Sequence, residues 1–195
     1  MQFLKENFDN ILKLYINQIG VAIFSMFLYT AAGAIDSEYS LITKVFISLF
    51  SILFYCVLIY NVAWEIGAKD KIRIDAKRLE RTPSKGIKIG LWSNSLNFLV
   101  IGIALILYVL YAITNVQAFH SIFAILNLIF RFFVSMYLGV IQGICVVFES
   151  NEHLYWISQT VLYIVFSGVS AAIIHLSYIL GLKDWRIIKK SNARK

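Results

Sequence analysis

The sequence predicts an all-α integral membrane protein with four transmembrane helices and one further re-entrant or interfacial segment. Three observations carry that prediction. Hydrophobic residues make up 59% of the 195-residue chain and charged residues 15%, against about 45–50% and about 25% in soluble domains. Mean hydropathy is +0.74. Several apolar runs reach the roughly 20 residues that a helix needs to cross a bilayer, and the basic residues between those runs gather in two connections only. The length suggests one membrane domain spanning 1–195.

The elements follow in order. Residues 1–14 place Phe3, Leu4, Phe8, Ile11 and Leu12 on one helical face and Lys5, Glu6, Asp9 and Asn10 away from it. That pattern predicts a short interfacial helix. Its composition lacks the apolar core and cleavage site of a secretory signal, so the first run reads as a retained helix. Spans are predicted at about 15–35, 41–66, 89–113 and 155–181. Residues 67–88 form a basic loop with Lys69, Lys71, Arg73, Lys77, Arg78, Arg81, Lys85 and Lys88, and Thr82-Pro83-Ser84-Lys85-Gly86 marks a turn within it. Residues 182–195 form a basic tail containing Lys183, Arg186, Lys189, Lys190, Arg194 and Lys195. The connections 36–40, 115–120 and 149–154 carry Asp36, Glu38, Glu149 and Glu152 but no Lys or Arg.

An excess of Lys and Arg marks the cytoplasmic side of short loops. The loop, the tail and both termini are therefore expected in the cytoplasm, at the cell (plasma) membrane. An even number of crossings must connect loop and tail, yet three apolar segments lie between them. The segment 121–148, with Asn127, Arg131 and Gln142 inside it and external-looking flanks, is the natural one not to cross. Re-entrant backbone is allowed where it is helical or buried in protein. Five transmembrane helices with an external tail is the alternative.

The tetrapeptide G-x-K-D occurs at 67–70 and again at 181–184, each time with an aromatic residue, Trp64 or Tyr178, three positions before the glycine. The glycine can supply the left-handed turn that ends a helix, and the lysine complements the helix end and anionic lipid. Two helices are thus expected to stop at one interface. The match also suggests two hairpins, 15–66 and 89–181, related by a pseudo-two-fold axis along the membrane normal, with coincidence as the other explanation. Trp64, Trp92 and Trp185 fall near the inner boundary and Trp156 near the outer one, where indoles prefer to sit.

Candidate chemistry is sparse. Asn61 and Glu65 share a face of the second span, and Asn94 and Asn97 lie three apart on the third. They suggest a polar intramembrane cluster open to the cytoplasm, with Glu65 holding a cation or an amine. The competing reading is interhelical hydrogen bonding worth roughly 0.6 kcal/mol each, with Glu65 paired to Lys69. Arg131 lies deep in an apolar run, where charge is costly. It could pair with Glu149, contact a lipid phosphate, or snorkel to the surface. Ser135, Gly139 and Gly143 recur every fourth residue, which favours close helix contact.

Cys56 and Cys145 form neither a disulfide framework nor a zinc site. His120, His153 and His175 lack metal-ligand spacing. No phosphate loop, dinucleotide fingerprint or nucleophile elbow occurs. No metal, cofactor or catalytic residue is expected. The basic segments are expected to hold anionic lipids at the cytoplasmic face, at about 1 kcal/mol per charge. Nucleic acid is not an expected partner, since interleaved stacking aromatics are missing.

The stretches W-x-x-G-x-K-D at 64–70, K-G-x-x-I-G-L at 85–91 and L-G-x-K-D at 180–184 resemble a group of uncharacterised small multi-pass membrane proteins of low-GC Gram-positive bacteria. That resemblance implies a bacterial cell-membrane location and brings no activity or functional residues. The expected function is a non-catalytic subunit or assembly partner of a transport or envelope complex, bound to another membrane protein or to copies of itself. A small oligomeric transporter and a membrane enzyme acting on lipid at Glu65 and the neighbouring Asn residues are the alternatives.

Overall fold

The computed structural model describes residues 2–33 and 40–187. The acidic residues expected outside at Asp36 and Glu38, and the tail beyond 187, lie outside the described residues. Among the described residues seven α-helices follow one another: α1 (Gln2–Gly33), α2 (Ser40–Asp75), α3 (Lys85–Ser93), α4 (Ser95–Thr114), α5 (Gln117–Phe133), α6 (Leu138–Cys145) and α7 (Glu152–Leu182). Two short 3-10 turns, Ser135–Tyr137 and Val146–Phe148, flank α6. No strand occurs among the described residues. Helices α1, α2, α4 and α7 are long and apolar enough to cross a membrane.

Burial is distributed as lipid solvent demands. Phe27, Phe46, Leu53, Ile113 and Leu128 point outward, whereas Ser25, Ser48, Ser51, Ser167, Ser170, Ala22, Ala63 and Ala171 are buried. Large apolar side chains lose nothing by facing lipid tails. Small residues at the contacts let helix backbones approach.

Three expectations about boundaries need correction. First, α1 is continuous over 32 residues, so 1–14 is not a separate interfacial helix. Asn7, Leu14, Gln18, Val21 and Ser25 are all buried, and this three-to-four spacing carries one contact stripe through the expected boundary. Second, α2 does not stop at Gly67 but continues to Asp75. At about 1.5 Å per residue its 36 residues span about 54 Å, well beyond the roughly 30 Å hydrocarbon core. Third, the span expected at 89–113 is broken into α3 and α4 at Asn94.

The helix stops are the expected device supplied by different residues. Lys77 has φ 55 and Asp184 has φ 56, while no glycine among the described residues has positive φ. The N–H of Lys77 donates to Ile74 O and that of Arg78 to Arg73 O; Asp184 donates to Gly181 O and Trp185 to Leu180 O. Both sets are Schellman closures. Asn115, φ 54, ends α4 by donating to Tyr111 O.

The two repeated glycines instead mark a helix crossing. A Cβ on Gly67 would meet the backbone of Tyr178, Gly181 and Leu182, and one on Gly181 would meet that of Trp64, Gly67 and Ala68. Helix α1 packs on α2, α3 packs on α7, and α2 and α7 form the central contact.

Helices α5 and α6 meet at 81°, and their partners show where they go. Along α7, Phe123 meets Trp156, Phe130 meets Tyr163 and Tyr137 stacks on Phe166. Cys145 then returns to Ser158. On the other side Ser135 bonds to Ala22, and Gln142 to Tyr29 nearer the end of α1. The chain therefore descends about 15 Å along α7 and climbs back toward the end it left, while by length and composition the bent pair fits either a re-entrant segment or a broken fifth span. One backbone group at the break is satisfied by a neighbouring helix, Gly139 N donating to Ser48 Oγ at 2.7 Å, and the Ser135 hydroxyl ties the break to α1 by donating to Ala22 O at 2.6 Å. Buried backbone at a break in lipid requires such partners. Gly139 sits directly against Lys44 O, and a Cβ on Gly143 would lie 3.0 Å from Val45 Cγ2. The expected small-residue contact is thus made against α2.

Candidate functional site

The most polar buried constellation lies just beyond the glycine crossing. Asp70 follows Gly67 by three residues, so it continues the inward stripe of α2 through Ala63 and Ile66. Its Oδ2 accepts from Lys85 Nζ at 2.8 Å and from the Tyr178 hydroxyl at 2.9 Å. The Asp70 and Lys85 side chains are only 3% and 14% exposed. Lys85 opens α3, where a cation opposes the helix dipole; the Asp70 carboxylate offsets that at the same helix end. Gly86 allows the approach, because a Cβ there would lie 2.8 Å from Tyr178 Cβ. One carboxylate therefore ties together α2, α3 and α7.

Above this pair opens a cavity of about 240 Å³, lined by Glu6, Asn7 and Asp9 of α1 and by Lys69, Arg73 and Lys85. At about 30 Å³ per water that is room for about eight waters or one small solute. Its lining carries both signs of charge.

The residues singled out in the sequence separate into two places. Asn94 and Asn97 are buried and together: Asn97 Nδ2 donates to Asn94 Oδ1 at 3.3 Å, as does Ser170 Oγ at 3.0 Å. Asn94 Nδ2 donates to Gly90 O at 2.9 Å. The amide thus bridges the break between α3 and α4 and anchors it to α7. Asn61 and Glu65 are exposed on α2, and Glu65 pairs with Lys69 at 2.7 Å with both side chains about 60% exposed. The four residues do not form one cluster.

Arg131 turns inward. Its Nη2 donates to Gln159 Oε1 at 3.3 Å, and its guanidinium lies 5.6 Å from the centre of the Trp156 ring. It pairs with α7 rather than with Glu149. His153 Nδ1 lies 2.6 Å from the Tyr108 hydroxyl, and His120 packs on Tyr111. His175 Nδ1 is buried beside Gly86 with no hydrogen-bond partner. Among the described residues no group of three or more His, Cys, Asp or Glu is placed to hold a metal ion.

The Asp70–Lys85–Tyr178 triad is the feature that sequence reasoning missed. Its signal was present, because Asp70 belongs to the repeated motif and falls in register with Ala63 and Ile66. Ending α2 at Gly67 put it in a loop. The chain matches no protein-family model, no curated protein and no solved structure.

Proposed function

We propose that this protein is a non-catalytic subunit, an assembly partner within a transport or envelope complex of the cell membrane, with both termini in the cytoplasm. One observation carries the reading: three sets of buried polar groups are committed to one another across helices. Asp70 is held by Lys85 and Tyr178, Asn94 by Ser170 and Asn97, and the hairpin break by Ser48 and Ala22. Such bonding builds a rigid platform. The orientation follows from the concentration of Lys and Arg at the end where α2 and α7 finish, which also favours anionic lipid there. Purification of the tagged chain from its own membranes in mild detergent tests the reading. A partner in constant ratio is expected, and a lone monomer overturns it.

A small transporter is the second reading, favoured by the placement of two partial penetrations. The re-entrant tip reaches Phe166 from one end, and the polar cavity reaches Asp70 from the other. Between them α7 turns Ser167, Ser170 and Tyr178 inward. Flux of a small solute into vesicles that is lost in Asp70→Asn would favour this reading over the first.

A further inference from the structure

The segment following α7 folds back along α2 and joins an apolar groove to a charged hollow. Trp64 Nε1 donates to Trp185 O at 2.9 Å, and Ile187 N donates to the Tyr60 hydroxyl at 2.9 Å. Residues 185–187 therefore run from the glycine crossing back toward membrane depth. On the membrane side of this strap is a groove of about 290 Å³ between α2 and α7, lined by Leu53, Cys56, Val57, Tyr60, Ile173 and Ile187. Its lining is almost wholly apolar. Leu53 lies about 21 Å of helix before the crossing at Gly67, so the groove runs well into the hydrocarbon layer.

On the opposite side of the strap is a hollow of about 450 Å³ lined by Trp64, Ala68 and Ile72, by the cations Lys69, Lys71 and Arg186, and by the carboxylates Glu65, Asp75 and Asp184. The Arg186 guanidinium sits 3.8 Å over the Trp64 ring, one helical turn beyond Tyr60. Lys69 and Lys71 are already paired with Glu65 and Asp184. Among the described residues no carboxylate forms an ion pair with Arg186. Packing on an aromatic face leaves the guanidinium's in-plane N–H donors directed outward.

We propose that this groove and hollow are a binding site for one phospholipid, an acyl chain lying along Cys56 and Val57 and the phosphate meeting Arg186. The occupant is chosen by two matched properties. A slot open to the bilayer interior is filled by lipid chains in any membrane. A cation without a carboxylate partner at the slot's polar end complements a phosphodiester, which a guanidinium binds bidentately. The strap sets the distance between the two, because adjacent residues 186 and 187 supply the cation and the groove's end.

The test uses the purified full-length chain in nanodiscs that carry a trace of phosphatidylglycerol with a photoreactive diazirine on its acyl chain. A diacylglycerol with the same chain is the comparison. Mass spectrometry locates the adducts. Phosphatidylglycerol is expected to label Cys56, Val57, Tyr60 or Ile173 about fivefold more than diacylglycerol does, the effect of one surface charge. Arg186→Gln should remove that difference without moving the labelled positions. Val57→Trp, at a half-exposed site where folding is not at risk, should empty the groove of both probes. Equal labelling by the two probes overturns the proposal, as does labelling spread evenly over other lipid-facing residues such as Ile106 and Leu128.

Discussion

Gly67 and Gly181 face each other where α2 crosses α7, so close that a Cβ on either would lie 3.0 Å from the other's Cα. Each would also strike a backbone carbonyl, of Tyr178 or of Trp64. Backbone cannot swing aside as a side chain end can. Gly67→Ala or Gly181→Ala is therefore expected to destabilise the bundle by about 1–3 kcal/mol through overpacking. Gly102 and Gly168 are helical glycines with nothing within 4 Å of an added Cβ. Alanine there should be neutral or stabilising by about 0.4–1 kcal/mol. Thermal unfolding of the four variants in detergent checks the contrast, and equal behaviour would remove the crossing as the reason for the repeat.

The Asp70–Lys85 pair is expected to show the signature of a buried ion pair. Removing one partner leaves an uncompensated charge, at a cost of about 3–5 kcal/mol. Asp70→Asn and Lys85→Met should each lower stability by that order. The double variant should recover much of the loss, since neither charge is then left buried. Glu65→Gln removes the i,i+4 partner of Lys69 on an exposed face and should change stability by less than about 1 kcal/mol. A double-mutant cycle measured by denaturant unfolding separates the cases. Additive single effects would mean that Asp70 and Lys85 do not share a charge pair.

These two relationships show what was legible in the sequence and what was not. Apolar run length found the four helices long and apolar enough to span a membrane, and the distribution of Lys and Arg set the segment 121–148 apart from them. Run length arises from lipid as solvent, and both signals are local in the chain. The role of Gly67 was not legible, because a glycine that ends a helix and one that admits a neighbouring helix look alike until the neighbour is known. The same ambiguity hid Asp70, whose partners lie on α3 and α7. Asn94 stands out in the sequence as a polar residue in an apolar run, but its pairing with Ser170 instead of Asn61 depends on which helices are adjacent. Periodicity reports a face and leaves its partner unnamed.

From the contacts of α5 and α6 with α7 we expect Gln117 and Ser150 to emerge on the same side of the membrane, opposite Lys77. Single cysteines at these three positions, with Cys56→Ser and Cys145→Ala as background, test this with an impermeant maleimide. Gln117→Cys and Ser150→Cys should react alike in intact cells or sealed vesicles, and Lys77→Cys in the opposite manner. A crossing by 117–148 would instead divide Gln117 from Ser150. The test needs no assumption about which side is the cytoplasm, so it stands apart from the positive-inside argument.

Lys77 holds the left-handed conformation that closes α2, at φ 55, where a side chain costs about 1–2 kcal/mol relative to glycine. Glycine carries more backbone entropy to lose on folding, which offsets part of the gain. Lys77→Gly is thus expected to raise stability by about 0.5–1 kcal/mol. Asp184→Gly, at φ 56 in the matching closure of α7, should act in the same direction. It also loses the exposed contact to Lys71 at 3.8 Å, which contributes little. Lys77→Val should lower stability, since a β-branched side chain tolerates this conformation least. Unfolding midpoints of the three variants give the signs directly. A loss of stability in Lys77→Gly would mean that α2 ends elsewhere, and the glycine of the repeated motif would again be the candidate for its stop.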